Sequence, residues 1–345
     1  MQVQKMEIKF ESTSTRVYTG DAWKLLGELL PEKDVVIVTD INVGELYGHY
    51  FPDYPVITIG TGEAVKEPET VETIIKHLLT IGTDRSSFLL GIGGGIVCDI
   101  SGFVASIFMR GIEFGFVSTT LLSQVDASIG GKNGVNVNGI KNIIGCINQP
   151  SFVICDIVLL RTLPDEEYIS GLAEVVKHAL IKDYELFELI ERNIKLILAR
   201  NEDLLNELIL RSIKIKATIV EKDEKESGER RLLNFGHTLG HAIESTTGLS
   251  HGISIAAGMM VAAEISFDEK LMDREESDRI RNTLQQLGLL KEMNTSWQDI
   301  KDIILADKKR KGNTINFILL QGIGNAVQRE YPLDEIMKKL KHKIG

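Results

Sequence analysis

The sequence has 345 residues, of which 43% are hydrophobic and 26% charged, and its formal net charge is -10 at pH 7. Such a length suffices for two domains, and the acidic balance argues against a nucleic-acid or membrane-surface partner. No apolar run reaches the ~18 residues of a membrane span, and the N-terminal MQVQKMEIKF lacks the apolar core of a signal peptide. The cysteines, Cys98, Cys146 and Cys155, lie singly in apolar surroundings without CxxC spacing, which predicts buried free thiols. We therefore expect a cytoplasmic globular protein.

The first half of the chain alternates short apolar runs with segments of helical periodicity. The runs are rich in β-branched residues, which is typical of buried parallel strands. They are Val35–Thr39, Val56–Ile59, Phe88–Gly91, Phe114–Ser118 and Phe152–Cys155. Helical periodicity covers Pro68–Thr80 and Val97–Met109, and Asn133-Gly134 with Asn138-Gly139 brackets a turn-and-hairpin signal. The alternation predicts an open α/β sheet with right-handed crossovers.

Proline placement marks the predicted domain boundary. Six of the seven prolines lie at or before Pro164, and the 167 residues between Pro164 and Pro332 contain none. Leu, Ile, Glu and Lys recur there at helical spacing, and Pro164 followed by acidic residues is typical of a helix start. We expect an α/β domain over residues 1–162 and an all-helical domain over residues 163–345.

Two loops in the first half have the composition of phosphate-binding turns. Leu90–Asp99, LGIGGGIVCD, passes from a predicted strand through glycines into a predicted helix. Glycines at such a turn let the backbone approach a pyrophosphate at a helix N-terminus. The spacing departs from GxGxxG, so a tight turn without a ligand explains it equally well. The second loop, Thr61–Lys66, follows the Val56–Ile59 strand.

Charged residues then interrupt a Gly-rich, apolar region. Arg110, Lys132 and Lys141 lie among Gly and Ser, together with Asp126, and suit a pocket for phosphate or carboxylate. As isolated surface cations they would need no explanation. In the helical half, Glu174 and Lys177 are three residues apart, so they face one site or form a routine surface ion pair.

The stretch Arg230–Gly252 contains three of the seven histidines, His237, His241 and His251. His237 and His241 are four residues apart, so on a helix they share one face, and imidazole is a common ligand for divalent metals. Because Thr238 follows His237, the Glu of the HExxH zinc-protease motif is missing. The stretch predicts a metal or catalytic site; solvated or capping histidines are the alternative.

These blocks together resemble the 3-dehydroquinate synthase family, the second enzyme of the shikimate pathway. The resemblance runs from about Asp40 to Gly324 and rests on motifs that are specific in combination. They are GGGIVCD, FMRG, STTLLSQVDASIGGK, KNIIG, GLAEVVKH, NFGHTLGHAIE, SHG and DKK. It implies a Rossmann-like NAD-binding N-terminal domain, an all-α metal- and substrate-binding C-terminal domain, and an active site in the cleft between them.

The resemblance also implies the chemistry. The family converts 3-deoxy-D-arabino-heptulosonate 7-phosphate to 3-dehydroquinate with one divalent metal, zinc or cobalt. NAD oxidises a substrate hydroxyl, phosphate is eliminated, NADH reduces the ketone, and ring opening and an aldol step follow. The family suggests a homodimer.

Site roles carry over from the family's motifs residue by residue. The metal ligands correspond to Glu174, His237 and His251. The NAD contacts correspond to Gly62, Glu63, Lys66, Gly94, Gly95, Asp99, Thr119 and Thr120, with Lys132 and Lys141 at the cofactor and substrate. The catalytic and substrate-binding positions correspond to Arg110, Asp126, Asn142, Lys177, Lys216, Arg230, Asn234, His241 and either Lys308 or Lys309, of which we favour Lys309.

Three alternatives remain open from the sequence. Other sugar-phosphate cyclases act on glucose 6-phosphate or sedoheptulose 7-phosphate, a metal-dependent polyol dehydrogenase would produce net NADH, and a binding relic would have lost a ligand. The residues that favour the dehydroquinate-type pattern are Asp126, Lys141-Asn142, Arg230 and Asn234. Ile253 and Cys146-Ile147-Asn148 depart from the family's usual residues, which concerns the shape of the site more than its metal.

Overall fold

The computed structural model describes residues 2–306 and 313–344. The chain divides into two compact units, Met1–Leu163 and Pro164–Gly345. The first is an α/β unit and the second is mainly helical, so the expected fold class is confirmed. No helix within the described residues is long and apolar enough to cross a membrane.

A seven-stranded sheet forms the centre of the α/β unit. Its order is β1-β2-β9-β6-β5-β3-β4, and every neighbouring pair is parallel except β1 with β2. The strands of this unit, including the hairpin β7–β8, are β1 (Gln4–Lys9), β2 (Ser14–Gly20), β3 (Val35–Asp40), β4 (Val56–Ile59), β5 (Phe88–Gly93), β6 (Glu113–Ser118), β7 (Lys132–Val137), β8 (Ile140–Ile147) and β9 (Phe152–Asp156). The five predicted parallel strands are confirmed to within two residues at each end. The edge strand β1 escaped prediction because only Ile8 of it is buried, so it has no apolar run.

The helices of this unit are α1 (Leu26–Leu29), α2 (Ile41–Tyr47), α3 (Pro68–Thr80) and α4 (Gly95–Ile107). The predicted bounds of α3 are confirmed, and Pro68 lies in its first turn as expected for a residue without a backbone N–H. The predicted helix from Val97 begins two residues earlier, since the glycines themselves form the start of α4.

The hairpin β7–β8 turns at Asn138-Gly139, where both residues have positive φ, 51° and 75°. This is the type I′ geometry that Asn-Gly favours, so the predicted hairpin is confirmed. Asn133-Gly134, by contrast, is not a turn. It lies inside β7, where a Cβ on Gly134 would come within 2.5 Å of the Ile144 carbonyl oxygen, so close strand packing explains this glycine.

The second unit contains nine described helices, α5 (Asp165–Lys182), α6 (Tyr184–Arg192), α7 (Ile194–Leu198), α8 (Glu202–Lys222), α9 (His237–Thr247), α10 (His251–Asp268), α11 (Arg274–Gln286), α12 (Trp297–Ala306) and α13 (Leu333–Ile344). An antiparallel hairpin, β10 (Thr314–Leu320) with β11 (Ala326–Pro332), adds to them. The prediction of an all-helical second domain is therefore wrong for this hairpin. The buried half of β10, residues 317–320, is a short apolar run that a buried helix could equally contain. Its pairing with β11 and its packing against α10 make it a strand, and only tertiary structure provides these contacts.

Candidate functional site

Three elements of the helical unit bring one carboxylate and two imidazoles together. Glu174 lies in the middle of α5, His237 is the first residue of α9 and His251 is the first residue of α10. The Nε2 atoms of both histidines lie 3.6 Å from Oε1 of Glu174, which is fully buried. The three potential ligand atoms lie within 4.8 Å of one another. One carboxylate and two imidazoles that converge in this way can hold a divalent metal.

Close helix packing places His251 at this position. A Cβ on Gly252 would lie 2.0 Å from the carbonyl oxygen of Ser170 on α5, so only glycine permits this approach of α10 to α5. The Gly252 N–H also donates a 2.9 Å hydrogen bond to Oγ of Ser170. A Cβ on Gly258 would likewise lie 2.0 Å from the carbonyl oxygen of Gly236, next to the start of α9. Glycine spacing on α10 thus sets the positions of the two histidines.

The two histidines differ in their pKa. Burial, followed by the charge of Lys177, lowers the pKa of His237 well below its ordinary value. Burial also lowers the pKa of His251, but Glu174 and Glu244 outweigh it and raise that pKa to about 9. The second carboxylate, Glu244, thus distinguishes the pKa of His251 from that of His237.

His241 lies one turn after His237 on α9, and their ring centroids are 5.2 Å apart. The expected common helix face is therefore present. However, His241 is exposed, and its candidate ligand group is a different one, formed with Glu244 and His251. His251 belongs to both groups, whereas His237 and His241 belong to different ones. The geometry therefore groups His237 with Glu174 and not with His241.

Buried cations accompany the carboxylate. Lys177, 1% exposed, forms an ion pair with Oε2 of Glu174, so the reading of these two residues as a surface pair is wrong. Lys216 on α8 and Arg230 are 6% and 1% exposed. The helical unit thus buries three cationic side chains, Lys177, Lys216 and Arg230, and Lys and Arg are the side chains that bind phosphate and carboxylate groups.

Arg230 belongs to a tightly bonded loop between α8 and α9. Oδ2 of Asp223 accepts hydrogen bonds from the N–H groups of Gly228 (2.7 Å) and Arg230 (2.9 Å), and the guanidinium of Arg230 donates to the carbonyl of Glu224. Burial raises the pKa of Asp223, but these N–H donors lower it to about 2. In the same loop, Nδ2 of Asn234 donates to Glu226, at 2.6 Å.

In the α/β unit, the glycine turn lies at the carboxyl end of β5. Gly94 is the N-cap of α4 and supplies no side-chain hydrogen bond, so the N–H groups of the first turn remain available to an anion. A Cβ on Gly94 would lie 2.9 Å from Cγ2 of Thr120. The N–H of Thr119 donates to the Gly93 carbonyl at 3.0 Å, and within the described chain the buried Oγ1 of Thr119 has no hydrogen-bond partner.

A polar network connects the second loop to this turn. Nζ of the buried Lys66 donates to Asp99 on α4 and, at 2.6 Å, to Oδ1 of Asn142. Asn136 extends this network to Glu63, since its Nδ2 donates to Glu63 at 2.7 Å and its Oδ1 accepts from the Asn142 N–H at 2.8 Å. Four sequence-predicted residues, Glu63, Lys66, Asp99 and Asn142, therefore lie together. Gly62, next to Glu63, has a φ of 79° that favours glycine.

The other predicted residues of this unit are more scattered. Arg110 is exposed and follows Met109, both with positive φ, 71° and 50°. Asp126 lies on a π-helical turn, Ser123–Ala127, a geometry that recurs at functional sites. Lys132 is paired with Ile147 at the open end of the hairpin, whereas Lys141 lies next to its turn. Lys309, like the alternative Lys308, lies outside the described residues.

Sequence reasoning missed Glu244, whose carboxylate lies 3.4 Å from Nδ1 of His251. It also missed Asn136 and Ser170. A signal existed for Glu244, because seven residues separate it from His237 and a helix places both on one face. Ser170 had none, since a contact across helices leaves no local pattern.

Models of the N-terminal and C-terminal parts of 3-dehydroquinate synthase match residues 56–170 and 171–310. A curated relative from Acetivibrio thermocellus, 3-dehydroquinate synthase, is 38% identical over 99% of this chain and 99% of its own length. The chain belongs to the 3-dehydroquinate synthase family.

Two solved structures of related enzymes share the fold of this family member. The 2-deoxy-scyllo-inosose synthase complexed with carbaglucose-6-phosphate, NAD+ and Co2+ is 25% identical and has a TM-score of 0.89, covering 98% of this chain and 100% of its own. The 2-epi-5-epi-valiolone synthase from Streptomyces hygroscopicus, with NAD+ and Zn2+ bound, is 25% identical with a TM-score of 0.88, covering 99% and 98%. The fold and the enzyme class are thus shared with other sugar-phosphate cyclases.

Proposed function

We propose that the chain catalyses the reaction of its family, the conversion of 3-deoxy-D-arabino-heptulosonate 7-phosphate to 3-dehydroquinate and phosphate. It is then a carbon–oxygen lyase of the shikimate pathway, which leads to chorismate and the aromatic amino acids. The observation that carries the proposal is the buried Glu174 carboxylate facing His237 and His251, in a unit with three further buried cations. Relatives that are about 40% identical over most of the chain are named 3-dehydroquinate synthase.

Glu174, His237 and His251 would hold one divalent metal, zinc or cobalt. The donor set fits, because two imidazoles and a carboxylate leave coordination positions for substrate oxygens. When bound, the metal supplies polarisation of a substrate hydroxyl and stabilisation of developing negative charge. Lys177 ion-pairs with the far oxygen of the Glu174 carboxylate, so it holds that carboxylate in a fixed orientation.

NAD would bind the α/β unit. The glycine turn, the uncapped N-terminus of α4 and the buried hydroxyl of Thr119 fit a pyrophosphate and its neighbouring groups. When bound, NAD supplies hydride acceptance and return, so the reaction involves no net redox change. The proposed contacts are Gly62, Glu63, Lys66, Gly94, Gly95, Asp99, Thr119, Thr120, Lys132 and Lys141.

The buried cations of the helical unit would bind the anionic substrate. Lys216 and Arg230 can neutralise phosphate or carboxylate, and the loop bonded to Asp223 holds Arg230 in place. His241, exposed beside His237, would serve in proton transfer. The remaining proposed substrate or catalytic residues are Arg110, Asp126, Asn142, Lys177, Asn234 and Lys309.

A substrate panel tests this assignment. With 3-deoxy-D-arabino-heptulosonate 7-phosphate, NAD and zinc or cobalt, the protein is expected to release one phosphate per dehydroquinate without accumulating NADH. Turnover of glucose 6-phosphate or sedoheptulose 7-phosphate instead would assign it to another cyclase. Net NADH production from a polyol would support the dehydrogenase alternative.

We also propose a cytoplasmic homodimer. In the described part of the chain, β8 pairs with β7 alone, and it exposes four isoleucines, Ile140, Ile143, Ile144 and Ile147, by 42% to 49%. An exposed apolar edge strand invites pairing with another strand. A second copy of the same strand, related by a twofold axis, would cover both the backbone edge and these side chains.

A further inference from the structure

Glu244 lies behind one of the candidate metal ligands. Its Oε2 is 3.4 Å from Nδ1 of His251, while the opposite ring nitrogen of His251, Nε2, is 3.6 Å from Oε1 of Glu174. The His251 ring therefore stands between two carboxylates, one on each side. Both the Glu244 side chain, 13% exposed, and the Glu174 side chain are shielded from water.

The two ring nitrogens of a neutral His251 have different roles, because only one of them carries a hydrogen. A neutral imidazole has one N–H and one lone pair, so a carboxylate that accepts from Nδ1–H leaves the lone pair on Nε2. For His237 this selection is made by the backbone, since Nδ1 lies 3.0 Å from the carbonyl oxygen of Phe235. For His251 the equivalent acceptor is the side chain of Glu244.

Helix α9 explains why a side chain can do this. Glu244 follows His237 by seven residues, two turns along the same face, so both point to the side where α10 begins. Helix α9 thus carries the candidate ligand His237 and, two turns later, Glu244, which accepts from the candidate ligand His251 at the start of α10.

We propose that Glu244 is a positioning residue for the metal site. It accepts a hydrogen bond from Nδ1–H of His251 and keeps Nε2 directed toward Glu174, without itself coordinating the metal. A carboxylate behind a metal-bound imidazole fixes the ring and increases its basicity, and loss of such a partner commonly costs 10- to 100-fold in metal affinity. The inference rests on the proposed metal-dependent function.

Zinc affinity of the metal-free protein, measured by competition with a chelator, tests the proposal. We expect Glu244→Ala to weaken zinc binding about 10- to 100-fold. Glu244→Gln, whose amide oxygen still accepts from Nδ1–H, is expected to retain most of that affinity. Glu269→Ala serves as the matched control, because it removes a carboxylate that pairs with Lys339 outside the candidate metal groups.

Cooperative thermal unfolding of the metal-free variants shows that each is folded, so a loss of zinc affinity in a folded Glu244→Ala variant reports positioning and not a general structural role. Glu244→Leu replaces the alanine variant if the latter does not fold. Wild-type zinc affinity in Glu244→Ala would overturn the proposal. So would zinc binding that survives Glu174→Gln but is lost in both Glu244 variants, since Glu244 would then be a ligand. A wild-type protein that binds zinc but lacks cyclase activity would count against the proposed function alone.

Discussion

The identity of the histidine ligands is decided at the level of single residues. Local spacing favours His237 with His241, but the structure directs Nε2 of His237 and of His251 toward Glu174. His251 belongs to both candidate groups, so its loss removes metal in either case. His237 and His241 each belong to one group only.

We therefore expect His237→Ala to lose bound zinc, because it removes a ligand of the Glu174 group. His241→Ala is expected to keep about one zinc per chain and to lose catalytic rate. Metal content by elemental analysis, together with kcat, distinguishes the two variants. Loss of zinc from both variants would restore the i, i+4 pair as ligands, whereas retention by His237→Ala with loss from His241→Ala would assign the metal to His241, Glu244 and His251.

At the scale of elements, the contact between α5 and α10 determines where His251 lies. The hydrogen bond from Gly252 to Ser170 and the absence of a Cβ at Gly252 bring the first turn of α10 against α5. Glu174 lies one turn further along α5 than Ser170, so this contact sets the distance from His251 to Glu174.

Gly252→Ala is expected to displace the start of α10, because its Cβ would overlap the Ser170 carbonyl oxygen. Overpacking of this kind costs about 1–3 kcal/mol, and zinc affinity should fall with it. Thermal unfolding and zinc competition measure the two effects. Gly27→Ala is the control, since a Cβ there meets nothing within 4 Å; equal behaviour of the two variants would contradict the packing argument.

At the scale of the whole molecule, the sequence pattern anticipated much of the architecture. Buried parallel strands were predictable because apolar, β-branched runs are typical of them, and the change in proline use was the signal for the helical half. The predicted buried free thiols are confirmed for Cys98 and Cys155, whereas Cys146 is free but only half-buried. The hairpin β10–β11 and the strands β1 and β2 were missed, because short strands in helical or polar surroundings carry a weak pattern.

The exposed isoleucines of β8 give a prediction for the assembly. Ile144→Lys is expected to convert a homodimer to a monomer, because it places a charge in the proposed contact and edge-strand lysines block pairing. Light scattering after size exclusion gives the mass. Ile303→Lys, at another exposed isoleucine on α12, is expected to leave the mass unchanged. A monomeric wild type, or a dimeric Ile144→Lys, would refute the proposed interface.

The sequence by itself determined the fold class, the family and the residue types available for chemistry, because these depend on local periodicity and on motifs that are contiguous in the chain. Tertiary structure alone decided that Glu174 and Lys177 are buried, that His251 stands between Glu174 and Glu244, and that Lys66, Asp99 and Asn142 form one network. The burial of Glu174 and Lys177 depends on the elements packed against α5, and the other two arrangements join side chains from different elements. Packing between elements sets the distances between such side chains, and no local spacing encodes it.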